Sequence, residues 1–291
     1  MMDLAGDELT DAVVASFDGS GDERTKTVLS ALVRHLHAFA REVELTEEEW
    51  FAGIDFLTRT GHKSTGSRQE FVLLSDVLGL SMLTVGLGNK KPKGATESTV
   101  FGPFFVEGSP EIKLGDDLSN GAPGQPCLVT GRVLDLHGNP IRAALVETWQ
   151  ADEDGFYDVQ KDIDGPQNRG HLTTDADGNY SFWAVRPVAY PIPDDGPVGE
   201  LLRAAGRGPM RPAHIHFMVT APGFSRLITH VFAAGDEHLH DDAVFGVKDS
   251  LIAEVTEHPA GTAPDGRVLD QPYSTVQYDL VLATTEETRS L

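Results

Sequence analysis

Apolar residues change their spacing once along this chain. Between residues 23 and 88 they recur at steps of three and four, the period of a helix with one buried face. Val28, Leu29, Leu32, Val33, Leu36, Phe39 and Val43 mark a first helix. Thr46 with Glu49 three residues on has the form of a capping box and opens a second, which Gly61 ends. Ser67 with Glu70 repeats that signal ahead of a third helix. It holds Phe71, Leu74, Val77, Leu78 and Leu80 and runs out near Gly86 and Gly88. Some of these faces are too apolar for water, so they pack on the second part of the chain or on another subunit. Residues 89–126 are rich in glycine and proline and carry the aromatics of Phe101-Gly102-Pro103-Phe104-Phe105, which makes them a long, ordered connection.

From residue 127 to 283 the apolar period is two. Strands are expected at 128–136, 144–149, 180–185, 214–219, 227–232 and 276–282, with His137-Gly138-Asn139-Pro140 as a turn between the first two. Short strands divided by turn signals predict a β-sandwich. The fold class is therefore α+β: a helical region with its connecting loop over 1–105, then a β-sandwich over 106–291.

Composition narrows the partners. The chain has 291 residues, enough for one large domain or two smaller ones. Its formal net charge is −22, with only 23 Lys and Arg, so nucleic acid and anionic membrane surfaces are poor partners. The single cysteine, Cys127, leaves no intrachain disulfide and no cysteine-rich zinc site, which fits a reducing compartment. No apolar run approaches the roughly 20 residues of a spanning helix. Residues 1–8 lack the basic and apolar regions of a signal peptide, so the expected location is the cytoplasm.

The candidate chemistry centres on Arg211-Pro212-Ala213-His214-Ile215-His216-Phe217. On a strand, His214 and His216 share one face while Ile215 and Phe217 take the other. Two imidazoles on one face can chelate a metal ion, although a half-exposed strand with two surface histidines has the same pattern. Tyr157 closes the run Asp152-Glu153-Asp154-Gly155-Phe156, and Tyr190 sits among Pro187, Pro191 and Pro193, which stiffen its loop and aim the phenol. Either tyrosine alone also suits a core position with its hydroxyl bonded to backbone. A second His-x-His, His238-Leu239-His240, lies in a hydrophilic stretch and reads as a solvated loop. Asp152-Glu153-Asp154-Gly155 and Asp175-Ala176-Asp177-Gly178-Asn179 imitate the start of a calcium loop but lack the closing glutamate, so hairpin turns account for them better.

Taken together, Tyr157, Tyr190, the Arg-Pro-Ala-His-x-His strand and the preceding helices resemble the intradiol ring-cleavage dioxygenases, from about residue 23 to residue 283. The finer resemblance is to the hydroxyquinol 1,2-dioxygenase branch. It is carried by Leu73-Leu74-Ser75-Asp76-Val77-Leu78-Gly79, by Gly94-Ala95-Thr96-Glu97-Ser98-Thr99-Val100-Phe101-Gly102-Pro103-Phe104, by Leu227-Ile228-Thr229-His230-Val231-Phe232 and by Asp241-Asp242-Ala243-Val244-Phe245-Gly246-Val247.

The resemblance implies an N-terminal helical dimerisation domain followed by a β-sandwich catalytic domain. It implies one non-haem Fe(III) per chain on Tyr157, Tyr190, His214 and His216, and hard anionic oxygen donors do favour the ferric state. Tyr190 and His216 would be axial, with Tyr157 and His214 equatorial beside a hydroxide. Tyr190 would also take a substrate proton, and Arg211 would steady charge on the ring. Leu73, Asp76, Val100, Phe101, Gly102, Pro103, Phe104, His230 and Val244 would form the substrate pocket. Asp76 would accept a hydrogen bond from a third substrate hydroxyl, unless it lies on the solvent side of its helix.

The implied reaction inserts dioxygen between the hydroxyl-bearing carbons of hydroxyquinol (benzene-1,2,4-triol), giving 3-hydroxy-cis,cis-muconate or its keto form, maleylacetate. Catechol or a substituted catechol is the alternative substrate. The implied assembly is a homodimer through the N-terminal helices, with a phospholipid as a candidate guest between them. Two rivals come from other classes. A transthyretin-like β-sandwich binding module would not require Tyr190 or Arg211. A zinc hydrolase on His214 and His216 would lack a visible third ligand.

Overall fold

The computed structural model describes residues 6–65 and 68–290. By Cα proximity the chain falls into two compact units, one up to Arg59 and one from Thr60 on.

The first unit holds α1 (Asp7–Ala15), α2 (Glu23–Glu42) and most of α3 (Glu47–Lys63). The apolar spacing gives no sign of α1. It is tied to α2 through Thr10, whose hydroxyl lies 3.0 Å from His37 Nδ1 and accepts from Arg41 Nη1 at 3.1 Å. The Asp22 carboxylate caps α2 by accepting the N–H groups of Arg24 and Thr25. The capping box ahead of α3 is present: Glu49 N donates to Thr46 Oγ1, and Thr46 N donates to Glu49 Oε2. That helix does not stop at Gly61. It runs on to Lys63, because one glycine in a last turn costs less than the turn's hydrogen bonds return. The first-helix stripe stays open to solvent in the single chain: Val28, Leu29, Leu32, Leu36, Phe39 and Val43 are 38–54% exposed.

In the second unit the expected third helix is two helices, α4 (Glu70–Val77) and α5 (Leu80–Gly88), bent by 80°. The Ser67 capping signal lies outside the described residues. The break falls at Gly79, whose φ of +73° is left-handed backbone that glycine alone adopts freely. Leu78 and Leu80 carry the apolar stripe across the bend, which is why the pattern hides it. Among the described residues no single helix is long and apolar enough to cross a membrane.

The strands are β1 (Pro126–Asp135), β2 (Leu145–Trp149), β3 (Arg169–Thr173), β4 (Asn179–Val185) and β5 (Tyr190–Pro191), followed after α6 (Pro197–Ala204) by β6 (Met210–Arg211), β7 (His214–Thr220), β8 (Leu227–Ala233), β9 (Ile252–Ala253), β10 (Val255–His258), β11 (Gly261–Thr262), β12 (Val268–Leu269), β13 (Tyr273–Gln277) and β14 (Leu280–Leu282). A short helix, α7 (Thr285–Arg289), ends the described chain. One sheet runs β3-β2-β7-β8-β9. The other is built on β1, with β4 antiparallel on one edge and β13 and β14 parallel, end to end, on the other. The expected strand over 276–282 is thus two strands. They part at Tyr278 and Asp279, where Tyr180 Oη donates to the Tyr278 carbonyl and the Asp279 carboxylate accepts the Arg132 N–H. Gly131 faces that break, and a Cβ there would stand 1.8 Å from the Tyr278 oxygen.

Val129, Val133 and Phe182 from one sheet meet Val146, Ile215, Phe217, Val219 and Val231 from the other in one buried core. Strand alternation therefore behaves on β7 as the sequence requires. Ile215, Phe217 and Val219 enter the core, and His214 and His216 face away from it.

Candidate metal centre

β7 supplies two of the donors. Its neighbours are set by register: His216 lies opposite Trp149 on β2 and His230 on β8, and His214 lies opposite Phe232. Trp149 stacks on the His216 ring at 4.7 Å and 18°, and the His230 ring stands nearly perpendicular to it at 4.2 Å. Gly102, at φ +78°, closes on the edge of the same ring; a Cβ there would sit 3.0 Å from His216 Cε1. His214 Nδ1 donates to the Pro212 carbonyl at 2.6 Å, which makes Nε2 the unprotonated nitrogen of the neutral ring.

The tyrosines arrive from two turns. The buried Asp152 carboxylate accepts the N–H groups of Asp154 and Phe156 and pairs with Lys161, so the calcium-loop look-alike is a tight turn that aims Tyr157. Phe104 stacks on the Tyr157 ring at 4.5 Å, and the buried Arg169–Asp158 pair anchors the next residue. Tyr190 is held by the short β5–β6 ladder, which sets it directly opposite Arg211. Gly155, at φ +82°, lets the two turns touch: a Cβ there would overlap Tyr190 Cβ at 2.5 Å.

Four polar atoms converge. His216 Nε2 lies 2.8 Å from Tyr157 Oη, Tyr157 Oη lies 2.9 Å from Tyr190 Oη, and Tyr190 Oη lies 3.3 Å from His214 Nε2. Donors about 2.1 Å from one ion, at right angles to each other, lie about 3.0 Å apart, so this run has the edge lengths of a coordination shell. All four side chains are buried. Burial lowers the pKa of both imidazoles, and the Arg211 charge lowers that of His214 further, so both are neutral with lone pairs available. Burial raises both phenols, Tyr157 well above its ordinary value. A highly charged cation is what would ionise them. The donor set therefore fits a trivalent ion.

The nitrogens of His214, His216 and His230 also lie within 4.8 Å of one another. His230 stands apart from the run of phenol contacts. Its Nδ1 faces Arg211 Nη2 at 3.4 Å and its Nε2 is bonded to neither phenol oxygen, whereas the Nε2 atoms of His214 and His216 each lie against one.

Arg211 is buried beside these groups. Its Nη1 lies 3.2 Å from His214 Nε2, and its Nε donates to Asp242 Oδ1 at 3.2 Å. Burial works to raise the Asp242 carboxyl, but Arg211 and the N–H groups of Val244 and Gly246 overcome it and hold it below its ordinary value. Sequence reasoning did not single out Asp242. Its signal was its place as the second acid of Asp241-Asp242, at the head of the apolar run Ala243-Val244-Phe245.

A cavity of about 660 Å³ opens beside Tyr190. Leu73, Asp76, Pro103 and Phe104 line it, as do Phe105 and Ile192, which the sequence reading did not assign a role. Asp76 is 6% exposed and does not face solvent; burial raises its carboxyl. Val100, Phe101, Gly102, His230 and Val244 do not line this cavity. Val100 and Val244 are buried, Phe101 packs on Trp149, and Gly102 and His230 flank His216. His238 and His240 sit in a loop where His238 Nδ1 pairs with Asp241, apart from the donors described above.

Comparison with known proteins places these residues among relatives. The family model described as Dioxygenase matches residues 100–284, and that described as Catechol dioxygenase N terminus matches residues 22–96. The hydroxyquinol 1,2-dioxygenase of Nocardioides simplex is 57% identical over 277 residues, covering 95% of this chain and 94% of that protein. That of Rhodococcus opacus is 55% identical over 278 residues, covering 94% of this chain and 93% of that protein. Among solved structures, hydroxyquinol 1,2-dioxygenase from Pseudomonas putida DLL-E4 superposes with a TM-score of 0.89 at 46% identity, covering 95% of this chain and 97% of that one. Catechol 1,2-dioxygenase from Acinetobacter radioresistens gives 0.85 at 30% identity, covering 97% of this chain and 95% of that one.

Proposed function

The chain belongs to the intradiol ring-cleavage dioxygenases, and on that premise we propose that it opens hydroxyquinol between its two adjacent hydroxyl-bearing carbons, yielding 3-hydroxy-cis,cis-muconate or its keto form, maleylacetate. The observation that carries the proposal is the run of two phenol oxygens and two imidazole nitrogens spaced 2.8–3.3 Å apart, with a buried arginine beside it. Both oxygen atoms of dioxygen enter the product.

We assign Tyr157, Tyr190, His214 and His216 as the holders of one ferric ion per chain. When bound, that ion supplies Lewis-acid activation of the diol toward dioxygen. The rest of the chemistry is read from the chain. Tyr190 lines the cavity, and as a phenolate it would receive a proton from an incoming hydroxyl. Arg211 carries a fixed charge, locked in place by Asp242, that steadies negative charge developing on the ring. Phe104, Leu73 and Ile192 give the ring apolar walls and exclude water. Asp76 accepts a hydrogen bond from the third hydroxyl, the group that distinguishes hydroxyquinol from catechol. We extend the proposal to a cytoplasmic homodimer through the exposed stripes of α2 and α3, with a phospholipid as the candidate guest between them.

The purified protein is expected to be red to purple from phenolate-to-ferric charge transfer and to consume one dioxygen per hydroxyquinol opened. Tyr157→Phe is expected to weaken the visible band and lower the iron content together. A colourless, iron-free protein that still opens hydroxyquinol would contradict the ligand assignment. A coloured protein that leaves hydroxyquinol intact would contradict the substrate.

A further inference from the structure

Arg207 lies outside the metal donors and does not line the cavity beside them. It follows α6 in the loop that leads to β6. Its guanidinium joins two carbonyls from distant parts of the second unit: Nη1 donates to Val77 O at 2.6 Å, and Nη2 donates to Ala243 O at 3.0 Å. The face of the same group covers the Phe245 ring at 4.6 Å. Val77 ends α4 and directly follows Asp76. Its carbonyl belongs to the last helical turn, where acceptors lack an intrahelical partner and a cation is favoured. Ala243 stands between Asp242, which holds Arg211, and Val244. Phe245 in turn packs toward the bend between α4 and α5: a Cβ on Gly79 would sit 3.5 Å from Phe245 Cδ2.

We infer that Arg207 is a positioning residue for substrate selection: its forked guanidinium sets the distance between α4, which carries Leu73 and Asp76 to the cavity, and the 242–246 segment, which holds Arg211 through Asp242. This rests on the proposed opening of hydroxyquinol. The planar fork with two donors and a stacking face suits the task, and a lysine offers one point charge without the plane. Without the fork, α4 is free to shift against the 242–246 segment. Asp76 then loses its register with the third hydroxyl, while a substrate that lacks this hydroxyl is affected less.

The test compares Arg207→Ala and Arg207→Lys with the wild type, each as the iron-loaded full chain. kcat and KM are measured for hydroxyquinol and for catechol, alongside iron content and the visible band. Arg207→Ala is expected to lower the hydroxyquinol-to-catechol ratio of kcat/KM about tenfold, mainly through a higher hydroxyquinol KM. The band and the iron content should hold. Arg207→Lys should fall between, and it keeps the test open if the alanine variant fails to fold. A second cavity, of about 480 Å³, borders Arg207 and Phe245, so methylguanidine added to Arg207→Ala should restore part of the ratio. A loss shared equally by both substrates, or an unchanged ratio in both variants, overturns the inference. Failure of the functional reading looks different, because the wild type itself would then leave hydroxyquinol intact.

Discussion

Arg211 and Asp242 form a buried ion pair whose two side chains are 5% and 2% exposed. Such a pair contributes little net stability, but removing one partner strands the other charge, at a cost of about 3–5 kcal/mol. Asp242→Asn is therefore expected to lower the unfolding free energy by about 3 kcal/mol and to depress turnover more than iron content, since Asp242 touches Arg211 and no donor atom of the centre. Urea unfolding and metal analysis of the same preparation check this; an unchanged midpoint would show that the pair is not held as described. Asp76 carries the other residue-scale prediction. A buried acceptor built for a hydroxyl penalises an analogue without one by about 1–3 kcal/mol. Asp76→Ala should shrink the preference for hydroxyquinol over catechol mainly by slowing hydroxyquinol. Equal ratios in wild type and variant would remove Asp76 from substrate selection.

Among the elements, the bend between α4 and α5 depends on one backbone conformation. A side chain at Gly79 would have to adopt left-handed backbone, which costs an L-residue about 1–2 kcal/mol. Gly79→Ala should lose that much stability in a denaturant titration, and a gain in stability would mean the bend straightens freely. A second link joins the end of α3 to the segment before α6. Asp195 accepts a hydrogen bond from Lys63 at 2.8 Å and pairs with Arg68, and these cations lower its pKa from 3.8 to about 2. A depressed carboxyl stabilises the fold above its unfolded value and loses that contribution as pH falls through its folded value. The Asp195 side chain is 65% exposed, so solvent screening leaves only about 0.5 kcal/mol. Asp195→Asn should show that small deficit at pH 6, and the gap should close as pH falls from about 4 toward 2. A gap that widens with acidity would reverse the assignment.

For the whole molecule, the open question set by the sequence is what covers the apolar helical faces. In the single chain, Trp50, Phe51, Ile54 and Leu57 of α3 are 43–61% exposed, in addition to the α2 stripe. Exposed apolar area of this kind is the mark of an interface, and a two-fold axis would bury it on both copies. Sedimentation at micromolar concentration is expected to show a dimer. Leu36→Glu combined with Phe39→Glu should shift it to monomer while the visible band persists, because the four proposed donors lie between residues 157 and 216 in the other unit. A wild-type monomer, or a charged variant that stays fully dimeric, would exclude this interface.

What the sequence determined alone was whatever depends on near neighbours. A strand's period of two is local, so His214 and His216 had to share a face with Ile215 and Phe217 opposite. Prolines on both sides of Tyr190 stiffen it without help from the rest of the fold, and Thr46 with Glu49 caps α3 by itself. The finer ligand set was read from family resemblance, because no local pattern shows that phenols 33 residues apart lie within 2.9 Å. Tertiary structure alone decided the remainder. Register between β7 and β8 put His230 against His216, and Asp242 reached Arg211 from 31 residues away. Arg207 found backbone carbonyls 130 and 36 residues distant. A carbonyl acceptor exists at every residue whatever its side chain, so such bonds leave no mark at the accepting position. The bend at Gly79 was hidden for a related reason: the apolar stripe reports which face is buried, and it continues unbroken while the backbone turns.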